Sequence, residues 1–182
     1  MAAIDPLVAQ FRALARNNAW SNDRLLGACE ALGVEGFAAP RTSFFPSLRA
    51  TLNHMHAVDL YYIDALEEAG LGPEAFRGAP DFAEPAALRA AQATTDRRLI
   101  AFCDRLGPDD PARRVVTDRG TAERPEEVLG SVLTHLFLHQ VHHRGQAHAM
   151  LAGTAVSPPQ LDEFFLDWDR HPSVAALGLL PA

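Results

Sequence analysis

Four long stretches of this chain carry apolar side chains at steps of three and four. That period admits little besides packed helices. In the first, from about Asp5 to Leu32, the step is kept by Val8, Phe11, Leu14, Ala15, Ala19, Leu25, Leu26, Cys29 and Leu32. Asp5 suits an N-cap and Pro6 a first turn, and Gly33 and Gly36 supply the stop. Val34–Phe45, with Pro40, reads as a loop. A second helix is expected to open at Pro46, with Ser43 or Phe45 at its entry, and to run to about Ala69. The Gly- and Pro-rich stretch to Pro80 reads as a loop. A third helix is expected over about Ala83–Leu106, its Thr94-Thr95-Asp96-Arg97-Arg98 centre facing solvent.

Val115, Val116 and Thr117 suit a short strand or hairpin arm with Gly120 at the turn. Pro125-Glu126-Glu127 reads as the first turn of a fourth helix, proline at N1 and acids against the macrodipole, running to Leu151 before Gly153. After Pro158-Pro159, Leu161, Phe164, Phe165 and Trp168 suggest a short amphipathic helix. No repeat or linker divides the chain. The expected fold is all-α, one domain over residues 1–182, an antiparallel four-helix bundle with a short fifth C-terminal helix.

Composition narrows the function. With 48% hydrophobic residues the chain suits an ordinary globule, and its formal net charge of -7 disfavours nucleic acid as a partner. No apolar run is long enough to span a bilayer. The first twenty residues lack a cationic start before an apolar core, so no signal peptide is expected and a cytoplasmic setting follows. All basic residues are arginine, which excludes Schiff-base chemistry by lysine and otherwise suggests coding bias. Cys29 and Cys103 match no metal or redox spacing and read as small buried hydrophobes.

The chemistry concentrates in THLFLHQVHHRGQAHAML. Five of the eight histidines lie between positions 135 and 148. His139 and His143 are four apart, so a helix places both on one face, where they can grip a divalent ion. Two imidazoles are too few, and a third must come from another helix. His54 is the best candidate. His56 stands about 200° around the axis from it, so only one of the two can face the site. Three neutral imidazoles would leave coordination positions open, the pattern of a catalytic rather than a closed structural site. Asp59, Gln146 and His135 are candidate neighbours of the ion's ligands, by hydrogen bond or as pocket lining. Arg144 reads as half of a surface ion pair. His56, His142 and His148 are expected outside the site. Trp20, Tyr61 and Tyr62 read as packing rather than as a substrate wall.

From about Phe11 to Trp168 the chain resembles the DinB family (DinB/YfiT-like metalloenzymes). The matching residues are Asn17-Asn18-Ala19-Trp20-Ser21-Asn22, Phe44-Phe45-Pro46-Ser47-Leu48, Thr51-Leu52-Asn53-His54 with Asp59 beyond it, the run His135–His148, and Pro158-Pro159-Gln160-Leu161-Asp162. Leu138 departs from the pattern, since relatives commonly carry Asn there. The resemblance implies a four-helix bundle with a short fifth helix, often a homodimer. It implies a divalent site on His54, His139 and His143.

It also implies a small-molecule substrate. Relatives include metal-dependent thiol transferases and a thiol-dependent isomerase, so a low-molecular-weight thiol is a candidate cofactor beside zinc or nickel. A hydrolytic reaction would use the same ligands. The alternative is a stress-related bundle in which the ion only stiffens the core. DNA binding, suggested only by the family's name, runs against the acidic balance.

Overall fold

A computed structural model describes residues 4–180. Four long helices dominate it: α1 Pro6–Ala38, α2 Leu48–Glu67, α4 Pro85–Asp104 and α5 Leu129–Ala152. Between α2 and α4 lies the short α3, Pro73–Arg77. Between α4 and α5 lie a 3-10 turn, Asp110–Ala112, and a hairpin of β1, Arg114–Val116, and β2, Glu126–Val128. A four-residue helix, α6 Ser173–Ala176, stands near the C-terminus. Among the described residues, no helix is long and apolar enough to cross a membrane.

The first helix starts as its sequence suggests. Pro6 sits in the first turn, and the Asp5 carboxylate accepts from the Leu7 and Val8 amides at 2.9 and 3.1 Å. At Gly33 the backbone leaves helical geometry (φ 81°, ψ 168°), and a short helical segment follows to Ala38. The second helix begins two residues later than expected. Its cap is Ser47, whose hydroxyl accepts from the Ala50 amide at 3.1 Å, and not Ser43 or Phe45.

Two corrections concern the later elements. Pro125-Glu126-Glu127 does not open a helix. Glu126 and Glu127 lie in β2 opposite Val116 and Val115, and α5 starts only at Leu129, whose amide donates to Arg113 carbonyl at 2.9 Å. Nor does Leu161–Trp168 form an amphipathic helix; it is a chain of turns. Phe164 alone of its aromatics is buried, packed with Val174 on Trp20, while Trp168 is 97% exposed. The short C-terminal helix is Ser173–Ala176, and Ser173 Oγ accepts from Trp20 Nε1 at 2.8 Å.

Two apolar cores fill the bundle. One gathers Val8, Phe11, Ile63, Leu99, Phe102 and Leu133. The other gathers Leu25, Leu52, Met55, Leu88, Met150 and Leu151. From the order in which each helix passes them, α1 and α5 run one way and α2 and α4 the other. Helix α1 packs chiefly on α4, and α2 on α5, both antiparallel pairs. The long 68–84 connection returns the chain between α2 and α4, which is where the bundle departs from simple alternation.

Between the two cores every helix carries polar side chains instead: Asn18 and Asn22 on α1, His56 and Asp59 on α2, Gln92 and Asp96 on α4, Gln140 and Arg144 on α5. All are buried. The third helix therefore does not turn its whole centre outward. Thr95 and Asp96 face the interior, and only Thr94, Arg97 and Arg98 face solvent.

Candidate metal centre

Because α2 and α5 pack side by side, the second turn of α2 meets the middle of α5. There His54 meets His139 and His143. Potential ligand atoms of the three rings all lie within 4.8 Å of one another. His54 Nε2 and His139 Nε2 are 3.2 Å apart. Two imidazoles bound at about 2.0–2.1 Å in tetrahedral geometry would hold their nitrogens roughly 3.3 Å apart. Ring centroids are 5.2 Å (His54–His139), 4.9 Å (His54–His143) and 4.4 Å (His139–His143) apart. Among the described residues this is the one cluster of three or more His, Cys, Asp or Glu side chains able to hold an ion.

The electrostatics favour ligand-competent rings. Burial and the neighbouring imidazoles push the His139 pKa down to about 3. Burial, then His143, lowers that of His54. Burial also lowers that of His143, against the hydrogen bond it makes to Gln146. Gln146 Oε1 lies 2.8 Å from His143 Nδ1. An amide oxygen only accepts, so Nδ1 carries the proton and Nε2 keeps its lone pair. Gln146 Nε2 in turn donates to His142 Nε2 at 3.1 Å. His139 Nδ1 is buried without a hydrogen-bond partner, so protein groups alone leave this ring's polarity incompletely satisfied. The donor set and its spacing thus fit a divalent ion.

Aromatic rings wall the cluster. The Phe45 centroid is 4.5 Å from that of His54 and 5.6 Å from that of His143, and Phe76 meets His54 edge-on at 6.1 Å. On the other side a cavity of about 330 Å³ reaches His139, lined also by His135, Tyr61, Tyr62 and Phe76. His135 is exposed, its ring centroid 6.2 Å from that of His139. Tyr61 and Tyr62, read from sequence as packing only, are buried and also form this wall. Of the remaining histidines, His142 is exposed, His148 Nε2 contacts Pro159 carbonyl oxygen, and His56 Nδ1 donates to Gln92 Oε1 at 3.1 Å.

Asp59 does not reach a ring of the cluster. Its carboxylate accepts from Gln92 Nε2 at 2.8 Å and from Gln140 Nε2. Asp96 accepts from Asn18 and Asn22 at 3.1 Å each and from Gln92 at 3.1 Å. Arg144, expected on the surface, is 5% exposed and donates to Asn18 Oδ1 and, at 3.0 Å, to Asn22 Oδ1. The amides of Asn18 and Asn22 turn oxygen toward the guanidinium and nitrogen toward Asp96. Gln140 does the same between Arg144 and Asp59. Two carboxyls thus share one cation through oriented amides.

Sequence reading missed this network, although its signal was present. Asn18/Asn22, Gln92/Asp96 and Gln140/Arg144 are all i,i+4 polar pairs on stripes that are otherwise core.

Burial, then repulsion from Asp96, raises the Asp59 pKa to about 7, and burial raises that of Asp96 to about 6. Both folded values exceed the unfolded one. The folded state therefore holds more protons between pH 4 and 7, and these groups lose stabilising effect as pH rises through that window. Asp59→Asn removes this titration. Relative to the parent, its stability is expected to improve by about 2 kcal/mol from pH 5 to pH 8, read by urea unfolding at each pH. A constant difference across that range would refute the assignment.

Comparison with curated proteins finds no match. The model of the DinB family matches residues 8–173, from the first turn of α1 to the start of α6, and so takes in every element that builds the histidine cluster. By that match the chain belongs to the DinB family.

Proposed function

We propose that this chain is a divalent-metal-dependent enzyme whose ion is held by His54, His139 and His143 and acts on a small molecule. One observation carries the reading: three imidazoles from two helices converge beside a cavity, with no fourth His, Cys, Asp or Glu in the cluster among the described residues. A closed structural site would use four protein ligands; an open position is what catalysis requires. In the same reading Gln146 fixes the tautomer and orientation of His143. His135 lines the approach to the ion. Asp59 acts at a distance, holding α2 to α5 through Gln140.

A divalent ion so held lowers the pKa of a bound thiol or water, making a nucleophile available at neutral pH. The chain's own groups bind and orient. Phe45 and Phe76 shield the cluster, and neither buried cysteine serves as nucleophile: burial raises the Cys29 and Cys103 thiols to about 12. This favours a low-molecular-weight thiol, or water, as the attacking group, hence an S-transferase-like or hydrolytic reaction. Zinc or nickel suits three imidazoles. We place the protein in the cytoplasm as a single domain, working as a homodimer.

The test is turnover. Metal-loaded protein is incubated with glutathione or cysteine and a panel of chlorinated and epoxide electrophiles. Thioether formation is expected that disappears after chelation and in His54→Ala. A fully metal-loaded chain inert toward every pair, and toward ester substrates with water, would favour the alternative, a non-catalytic metal-binding bundle.

A further inference from the structure

The cavity beside His139 is roofed by two elements outside the four long helices. One is α3, the other the tip of the hairpin connection, and they are fitted closely together. Gly72 sits at φ +55°, and a Cβ there would lie 3.2 Å from Asp118 Cβ. Gly120 sits at φ +73°, and a Cβ there would lie 3.1 Å from both Arg77 Nη2 and Pro73 Cγ. Both positions demand a backbone that only glycine adopts cheaply, and a side chain at either would press on its neighbour across the roof. Asp64 ties α3 down by accepting from Leu71 and Gly72 amides at 3.2 and 2.8 Å. Tyr61 ties the hairpin down by donating to Asp118 carbonyl oxygen at 2.7 Å. The roof is therefore built, not incidental.

Its charges are unequal. Arg77 is engaged by Glu74 at 2.8 Å. The Asp118 carboxylate accepts from the Gly120 amide at 2.8 Å and faces Arg124 at 3.5 Å. Arg119 enters no ion pair among the described residues; its guanidinium stands over the Tyr61 ring, 5.9 Å from the centroid. The cavity thus combines an aromatic wall, a cation at the rim that enters no ion pair among the described residues, and one member of the histidine cluster, His139, in its lining. Its volume of about 330 Å³ suits a small ligand. A single planar guanidinium matches a carboxylate by two parallel hydrogen bonds. The nearby Asp118 carboxylate disfavours a more highly charged phosphate.

We propose that this cavity binds a small aromatic or apolar organic acid, its body against Tyr61, Tyr62 and Phe76 and its carboxylate on Arg119. The proposal rests on the reading of the histidines as the reactive centre and names the substrate class that centre would meet.

Phenylacetate, its neutral analogue phenylacetamide, and acetate are titrated against the full chain by calorimetry, once zinc-loaded and once chelator-treated. Phenylacetate is expected to bind about tenfold tighter than either comparator. Arg119→Gln, at an exposed position, is expected to remove that preference while leaving phenylacetamide binding and zinc content unchanged. The loss should be the same with and without zinc. A chain that takes up no zinc yet shows this Arg119 dependence would refute the metal reading and support this one. Three outcomes overturn the proposal: equal affinity for phenylacetate and phenylacetamide, no binding of phenylacetate, or tight binding that needs zinc and ignores Arg119→Gln.

Discussion

Alanine at His139 is expected to lower zinc affinity by more than about a hundredfold, and alanine at His54 or His143 to do the same. In the proposed site the three rings hold one ion, so removing any of them would leave two donors, which do not hold an ion well. His139 lies within 3.2 Å of His54 by nitrogen and 4.4 Å of His143 by ring centroid, so its loss opens the cluster on both sides. The fold should survive, since the ring is only partly buried and has one hydrogen-bonding nitrogen without a partner. The readout is thermal. Zinc at about a thousandfold excess over its dissociation constant stabilises a protein by about 4 kcal/mol, and this rise in Tm should vanish in His139→Ala. Gln146→Leu should weaken zinc binding by only about ten- to a hundredfold, because Gln146 touches His143 and in the proposed site would not touch the ion. A His139→Ala chain with the parent's zinc-induced rise would remove His139 from the site.

Methionine at Arg144 is expected to cost roughly 3–5 kcal/mol, about a 10 °C fall in Tm. Among the described residues the guanidinium is the one cation that lowers the pKa of both Asp59 and Asp96 within the polar layer. Its removal leaves two buried carboxyls without the charge that faces them, and the turned amide oxygens of Asn18 and Asn22 without their donor. Carboxyls can escape by taking protons, so the loss should be larger at pH 8 than at pH 5. Adding Asp96→Asn should restore part of it at pH 8. The measurement is chemical denaturation of chelator-treated protein, which separates the network from any metal. A loss below about 1 kcal/mol at both pH values would place Arg144 outside the charge balance of the interior.

What the sequence disclosed divides along physical lines. Helices α1, α2, α4 and α5 were legible because each must bury one stripe, and a stripe is written in the chain as a period. Their ends were less so. Pro125-Glu126-Glu127 satisfies the chemistry of a helix start, yet the pairing of Glu126 and Glu127 with Val116 and Val115 decides the conformation, and that partner lies beyond any local window. The tail misled for a related reason: Phe164 and, in part, Leu161 pack against Trp20 while Phe165, Leu166 and Trp168 stay exposed, so no continuous face exists to support a helix.

At the candidate site, His139 and His143 were legible from spacing and His54 from the need for a third donor. Arg144 was misread because its partners Asn18 and Asn22 are 126 and 122 residues away, and only the finished bundle brings them into range. Asp59, expected as a neighbour of the imidazoles, is hydrogen-bonded to Gln92 and Gln140 instead.

X-ray absorption at the zinc edge of the loaded protein tests the central claim most directly. Three nitrogen donors at about 2.0–2.1 Å with imidazole scattering, and at least one lighter donor that a small thiol replaces with sulfur at about 2.3 Å, are expected. Fewer than three imidazoles, or a fourth protein ligand that excludes the thiol, would contradict the open three-histidine centre.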